Sequence, residues 1–360
     1  MKTVHIPIFE RSRLRSEVRV QETFRINGPT QKNYFDAFCD ALENGYLNQV
    51  DVSCPVCGSD EFQLIATKDR VGLDVMTVLC LDCPTMYSRK RLDEPSLELF
   101  YSEFYRGMYG GIEFPTKDWF DQQSKIGRKV LEWLDEVGIT KPTMDGLRVV
   151  DVGTGAGGLL HPFLKRGASV TGIDQDEKFL DFGRSMGIKM MKGGIERLRE
   201  IDGADLIILK DVLEHLANQR DALEVIRSCL SPNGHCFIQV PGLQSLNVLG
   251  YQNDLLRYLQ IAHVVHFTQE SLVYLVESAG FETVASNTHV RIVVRPSLDG
   301  RSSDLTCPTN EPARQALRHI FQTRLAFKTL RIAKSLVPKS LKESIKKAIG
   351  GANLSTKKNN

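Results

Sequence analysis

From residue 118 to residue 294 the apolar positions switch repeatedly between helical spacing and short continuous runs. Asp118 to Val137 has the helical period. Short apolar strands are then predicted at Arg148–Val152, Ser169–Ile173, Ile188–Met191, Leu206–Leu209 and His235–Val240. Helices are predicted between them over Leu159–Arg166, Lys178–Met186 and Arg220–Leu230. A helix over Glu270–Gly280 and a strand pair at Phe281–Ala285 and His289–Val294 complete the series. Such alternation predicts an α/β domain whose largely parallel sheet is wound on both faces. Upstream the signal is weaker: a helix over Tyr34–Leu47, then short strands at Phe62–Ile65 and Val75–Leu79. The stretch Leu99–Gly111 is aromatic and polar, and its glycines with Pro115 predict a linker or lid. From Glu311 onward the pattern is helical, with Pro338 splitting it. Four segments follow: residues 1–50; 51–115, a small module with its linker; 116–300, the α/β domain; and 301–360, a helical tail.

Apolar residues make up 42% and charged residues 25% of the 360, a balance that can bury a core. No run reaches the roughly eighteen apolar residues that span a bilayer. The opening, Met1 to Pro7, is charged too early for a secretory leader, so a cytoplasmic location is expected. The net charge of +2 divides unevenly: residues 311–360 carry +10 and the rest −8. Leu317, Ile320, Phe321 and Leu325, then Leu341, Ile345, Ala348 and Ile349, each line one helical face beside lysines and arginines. A basic amphipathic tail over 314–349 suits peripheral contact with an anionic membrane, packing on its own domain, or RNA. No aromatic-interleaved RNA motif accompanies it, which argues against nucleic acid as a partner.

Four of the eight cysteines form two C-x-x-C pairs, Cys54 with Cys57 and Cys80 with Cys83. The spacing is not that of a disulfide scaffold. Four thiolates in knuckle turns suit one tetrahedral structural Zn2+ in a zinc-ribbon-like module, and a closed site of that kind stabilises rather than catalyses. Redox chemistry is the alternative, and neither pair opens a clear helix after a strand, as redox pairs do.

The sharpest chemical signal is Asp151-Val152-Gly153-Thr154-Gly155-Ala156-Gly157-Gly158, between a strand and a helix. Glycines there let the backbone turn tightly and approach a ligand. The spacing also fits a dinucleotide fingerprint. Asp174, at the end of the next strand, suits ribose hydroxyls of either ligand type, whereas Asp151 suits a cofactor with an amino group and no pyrophosphate. Arg148 to Val294 resembles the class I S-adenosylmethionine (SAM)-dependent methyltransferases, whose Rossmann-like sheet has seven strands ending in an antiparallel pair. The family's D-x-G-x-G-x-G loop falls on Asp151, Gly153, Gly155 and Gly157, and its ribose acid on Asp174. The resemblance implies that Thr154, Gln175, Gly194, Ile195, Lys210 and Asp211 complete the SAM site, with Gly194 standing where relatives often have Asp. It also puts a Glu214-His215 pair after the fourth strand and His263 over the active site.

A four-cysteine module followed by Phe100-Tyr101 and Phe104-Tyr105 resembles the sugar C-methyltransferases and related enzymes of surface-polysaccharide and secondary-metabolite pathways. In that family the Glu-His pair is thought to act in deprotonation. Glu214, His215 and His263 are therefore the candidate bases. The function expected is methyl transfer from SAM to a sugar-type acceptor: a nucleotide sugar, a surface glycan or its lipid-linked precursor. A small-molecule O- or N-methyltransferase and an RNA-modifying enzyme are the alternatives, and the Asn/Asp-Pro-Pro-aromatic signature of the latter is missing.

Overall fold

The computed structural model describes residues 28–110, 114–246, 251, 254–297, 305–320 and 322. Expectations for the first 27 residues and for the tail beyond residue 322 lie outside the described residues. Residues 1–314 form one compact unit and 315–360 a second; the first is described here. Among the described residues no helix is long and apolar enough to cross a membrane.

In chain order the strands are β1 (Gln49–Asp51), β2 (Phe62–Lys68), β3 (Asp74–Cys80), β4 (Met86–Leu92), β5 (Arg148–Val152), β6 (Ser169–Asp174), β7 (Lys189–Lys192), β8 (Ala204–Lys210), β9 (Leu230–Gln239), β10 (Val265–His266), β11 (Phe281–Asn287) and β12 (Arg291–Pro296). The helices are α1 (Pro29–Glu43), α2 (Glu94–Leu99), α3 (Lys117–Glu136), α4 (His161–Lys165), α5 (Glu177–Ser185), α6 (Gln219–Cys229), α7 (Leu255–Tyr258) and α8 (Gln269–Ser278).

Seven strands form the large sheet in the order β11-β12-β9-β8-β5-β6-β7. β5 to β9 run parallel, and β12 joins β9 and β11 antiparallel. This is the seven-stranded doubly wound sheet that the chain pattern predicts. Period-two alternation explains its two cores. Leu206 and Ile208 on β8 face α3, with Val149, Phe237 and Val293. Ile207 and Leu209 face the other way, with Val150, Ile238, Leu223 of α6 and Leu275 of α8. α3 buries Phe120, Ser124, Gly127, Val130, Leu131 and Leu134, one stripe at helical spacing, and Thr116 caps it by accepting from the Trp119 amide. β9 begins at Leu230, earlier than the His235 expected, because Pro232-Asn233-Gly234 is carried as an irregularity against β8.

The smaller sheet pairs β1-β4-β3-β2 antiparallel, and β10 of the later chain joins it through β4. The four-cysteine module is thus built into the domain: Cys54, Val56, Cys80, Cys83 and Tyr87 share a core with the large sheet. The stretch expected as a linker or lid is helical: α2 continues into two π turns, Phe100–Phe104 and Arg106–Gly110. Packing outweighs its glycines, because Phe100, Phe104 and Met108 are buried against Phe38 of α1 and Leu97.

Candidate active site

The carboxyl ends of β5, β6 and β8 open toward one edge, where the strand order reverses between β5 and β8. Ligands of open α/β sheets bind at such a point. Gly153, Gly155 and Gly157 follow β5 with φ of 72°, 60° and 76°. A side chain there would be strained, and a Cβ on Gly153 would stand 2.6 Å from Cγ2 of Val212. The Gly153 and Thr154 amides donate to the Ile173 carbonyl (2.8 and 3.0 Å), tying the loop to β6. The Gly155 amide donates to Oδ2 of Asp174 (2.7 Å), and the Asp176 amide donates to Oδ1 (3.0 Å).

Asp151, the last residue but one of β5, is buried, and burial pushes its carboxyl up to about 7, with the Thr154 hydroxyl and the charge of Lys210 opposing. Gln175 is exposed beside Asp174. Gly194 opens a 3-10 turn in which Ile195 is partly buried; its amide donates to Glu196 (2.8 Å), and the amide of Gly193 donates to the Asp174 carbonyl (3.0 Å). Lys210 ends β8 and pairs with Asp211, a non-glycine residue at φ 57°. All the residues expected for the cofactor lie on this one edge. They fit SAM in kind: a buried acid at the first strand end, a ribose-suited acid at the second, and backbone stripped of side chains between them.

The second cluster is polar and buried. Glu214, His215 and His263 are 1%, 9% and 4% exposed, and their ligand-type atoms all lie within 4.8 Å of one another. The Nδ1 of His215 meets the Ala262 carbonyl at 2.8 Å and the Tyr101 hydroxyl at 2.7 Å, and that hydroxyl donates to the same carbonyl (2.9 Å). Burial pushes the Glu214 carboxyl well above the usual carboxylate range, with the charge of Asp211 adding to it. Burial also holds His215 down, partly offset by its bond to Ala262, and holds His263 far lower. The rings of Tyr101 and Tyr105 stand 5.5 and 5.9 Å from His215, and His263 stands 4.8 Å from it. A neutral imidazole, a raised carboxyl and a tyrosine wall can hold an oxygen-bearing molecule and move its proton.

Loop 259–268 carries His263 of this cluster, and the cysteine module holds the loop. The Arg70 amide donates to the Leu259 carbonyl (2.9 Å), Oδ2 of Asp69 accepts from the Ile261 amide (3.2 Å), and the Ser88 amide donates to the Val264 carbonyl (3.0 Å). Asp69 is fully buried, and its Oδ1 also accepts from the Val71 and Leu73 amides, both at 2.9 Å. Sulfur pairs Cys54–Cys83 and Cys57–Cys80 each stand 3.5 Å apart, and all four Sγ atoms lie within 4.8 Å of one another. A tetrahedral ion bound at about 2.3 Å asks for sulfurs about 3.8 Å apart, so the four cysteines fit structural zinc.

Arg106, His266 and Asp69 also shape the site, outside the candidates named from the sequence. Arg106 donates to Oδ1 of Asp174 (2.8 Å) and pairs with Asp176 (3.1 Å), and its guanidinium lies 3.8 Å from the Phe179 ring centroid. His266 is buried on β10, its ring 4.8 Å from Tyr258, and burial lowers it to about 3. Asp69 belongs with them as the pin of the loop.

A doubly wound seven-stranded sheet with a glycine loop at its switch point and a ribose-suited acid on the next strand defines a methyltransferase-type α/β domain. A family model described as Methyltransferase domain matches residues 120–286, a little under half of the chain. The chain is 28% identical over 134 residues to ubiquinone biosynthesis O-methyltransferase of Acinetobacter baumannii, covering 33% of this chain and 55% of that protein. It is 23% identical over 258 residues to C-methyltransferase NovU of Streptomyces niveus, covering 65% of this chain and 57% of that protein. The chain therefore spans little more than half the length of these relatives. Among solved structures, magnesium protoporphyrin IX methyltransferase of Synechocystis PCC 6803 is similar at TM-score 0.41 and 18% identity, covering 57% of this chain and 100% of that one.

Proposed function

We propose that the protein transfers the methyl group of SAM to a small, oxygen-bearing acceptor of sugar type. The observation that carries the cofactor half is Asp174, anchored by the Gly155 amide at the end of β6 and flanked by three left-handed glycines. Asp174 would accept the ribose hydroxyls, Asp151 would face the ammonium of the methionine part, and Ile195 would pack on the adenine. When bound, SAM supplies an electrophilic methyl carbon, and the protein's part is to position the acceptor, exclude water and take a proton.

The acceptor half rests on Glu214, His215 and His263. Carbon or oxygen nucleophiles both need a proton removed, and a neutral imidazole beside a buried carboxyl suits that task. The alignment with the C-methyltransferase NovU covers 65% of this chain, far more than the match to the O-methyltransferase, and this favours carbon as the acceptor atom. The sugar-type acceptor rests on the resemblance of the module and its aromatic segment. We also propose a structural zinc on Cys54, Cys57, Cys80 and Cys83.

Calorimetry with SAM tests the cofactor assignment. Asp174→Ala removes acceptors for two charge-assisted hydrogen bonds and should weaken SAM on the order of a hundredfold. Unchanged affinity would remove Asp174 from the site. Methyl-labelled SAM and a panel of nucleotide sugars then test the acceptor. Label entering none of them while entering phenolic metabolites would overturn the sugar-type reading.

A further inference from the structure

Glu214, His215 and His263 have an unusual hydrogen-bond ledger. Both carboxylate oxygens of Glu214 and Nδ1 of His263 are buried without a partner. Nε2 of His215 stands 3.7 Å from Oε1 of Glu214, beyond hydrogen-bond reach. A buried carboxylate with nothing to bind is rare in folded proteins and calls for an explanation, an ion being one.

The remaining ring nitrogens are accounted for. A carbonyl oxygen only accepts, so Nδ1 of His215 carries its proton toward Ala262 (2.8 Å), and Nε2 is left with a free lone pair. Nε2 of His263 meets the side-chain amide of Gln260. The amide nitrogen faces Nε2 and donates there; an ion on Nδ1 requires the amide to present its oxygen instead, so that Nε2 carries the proton. Each imidazole thus has one nitrogen engaged by the protein, Nδ1 of His215 and Nε2 of His263, and its other nitrogen on the side of Glu214. Metal-binding histidines are oriented in this way, by a protein hydrogen bond to the ring nitrogen that does not meet the ion. The three residues' ligand-type atoms lie within 4.8 Å of one another, from a 3-10 turn after β8 (Leu213–His215) and from the loop before β10.

We propose that Glu214, His215 and His263 form a site for one divalent transition-metal ion, distinct from the four-cysteine centre. One carboxylate and two imidazoles suit Mn2+, Fe2+, Co2+ or Zn2+. Three protein ligands leave coordination positions open, unlike the closed set of four thiolates. Tyr101 and Tyr105 border the open side, where a hydroxyl or carbonyl oxygen of the acceptor would sit on the ion and its neighbouring proton would become more acidic. With the ion bound, the three side chains act as its ligands and the acidified proton passes to solvent instead of to them; that role rests on the methyl-transfer reading, and the site itself does not.

The test uses the full chain, zinc-loaded at its cysteines, titrated with Mn2+ while the electron paramagnetic resonance signal of free Mn2+ is followed. Mn2+ is chosen because a hard ion does not compete for four thiolates. One Mn2+ should bind per chain and raise the melting temperature. Glu214→Gln keeps the side-chain shape and should weaken binding about tenfold or more, with zinc content unchanged. His263→Asn should do the same and serves if the first variant fails to fold. No binding of Mn2+, Co2+ or a second zinc to the wild type would overturn the proposal and leave the cluster as a proton relay. Equal binding by wild type and both variants would overturn it too, placing the ion elsewhere. SAM calorimetry on the same samples separates the two readings. SAM bound without extra metal leaves methyl transfer standing, and SAM unbound under any condition sinks it independently.

Discussion

The two ends of the site are built in different ways. The proposed cofactor end lies within about sixty residues, Asp151 to Asp211, on the edges of parallel strands. Its hydrogen bonds join neighbours in the sheet, such as Gly153 to Ile173 and Gly155 to Asp174. The proposed acceptor end draws on Asp69, Tyr101, Glu214, His215 and His263, up to 194 positions apart in the sequence. Its hydrogen bonds reach far along the chain, as between Ile261 and Asp69 or between Tyr101 and Ala262. The first end is a local motif on a rigid scaffold; the second exists only when the cysteine module is folded against loop 259–268.

The largest expected effect breaks the two ends apart. Cys80→Ser removes one of four thiolates and should lose the zinc, read by elemental analysis. Structural zinc sites supply folding free energy directly, so the melting temperature should fall by about 10 °C or more. Methyl transfer should vanish, because β4 then no longer holds β10 and the His263 loop. SAM affinity should change by less than about threefold, since Asp151 to Ile195 makes its own contacts. A parallel loss of SAM binding would show that the two ends fold as one and would end the comparison.

A smaller effect sharpens the cofactor end alone. The Asp151 carboxyl titrates near 7 in the unliganded fold, raised first by burial. That value lies above the unfolded one of about 3.9, so the contribution to stability is present below pH 4 and is lost as pH rises through 7. The ammonium of SAM has the opposite preference and needs the ionised form. SAM affinity should therefore rise about tenfold per unit from pH 5 toward pH 7 and then level. Calorimetry across that range should show a proton released on binding below pH 7, and Asp151→Asn should abolish both. A flat profile in the wild type would place Asp151 away from the ammonium.

This division also explains what could be read in the chain. The strands β5 to β8, the antiparallel close and the glycine loop are local patterns of period and residue type, and Asp174 follows from its place at a strand end. β4 escaped because its residues Arg89, Lys90 and Arg91 interrupt any apolar pattern; pairing to β3 and β1 makes it a strand. β10 has two residues, too few to carry a period. Glu214, His215 and His263 were legible as residue types near strand ends, while their common burial was not. Tyr101 and Arg106 sit in a segment whose glycines suggest a break, and only its packing on Phe38 makes it helical. Asp69 lies in an ordinary hairpin turn whose partner, Ile261, is remote in sequence.

Arg106 ties the two ends together, and it gives the smallest and most discriminating expectation. It holds Oδ1 of Asp174, the oxygen a ribose would need, from the same helical segment that carries Tyr101 to His215. The Gly155 and Asp176 amides already fill other positions on that carboxylate. A ribose must therefore displace the guanidinium or share the oxygen with it. An ion pair of this partial exposure is worth about 1 kcal/mol or less. If the ribose displaces it, Arg106→Ala should bind SAM about threefold more tightly, and Tyr101 should become more mobile in hydrogen exchange around residues 94–110. Weaker binding would mean that Arg106 stays and contacts the cofactor itself, and the acceptor end would then reach into the cofactor end instead of merely adjoining it.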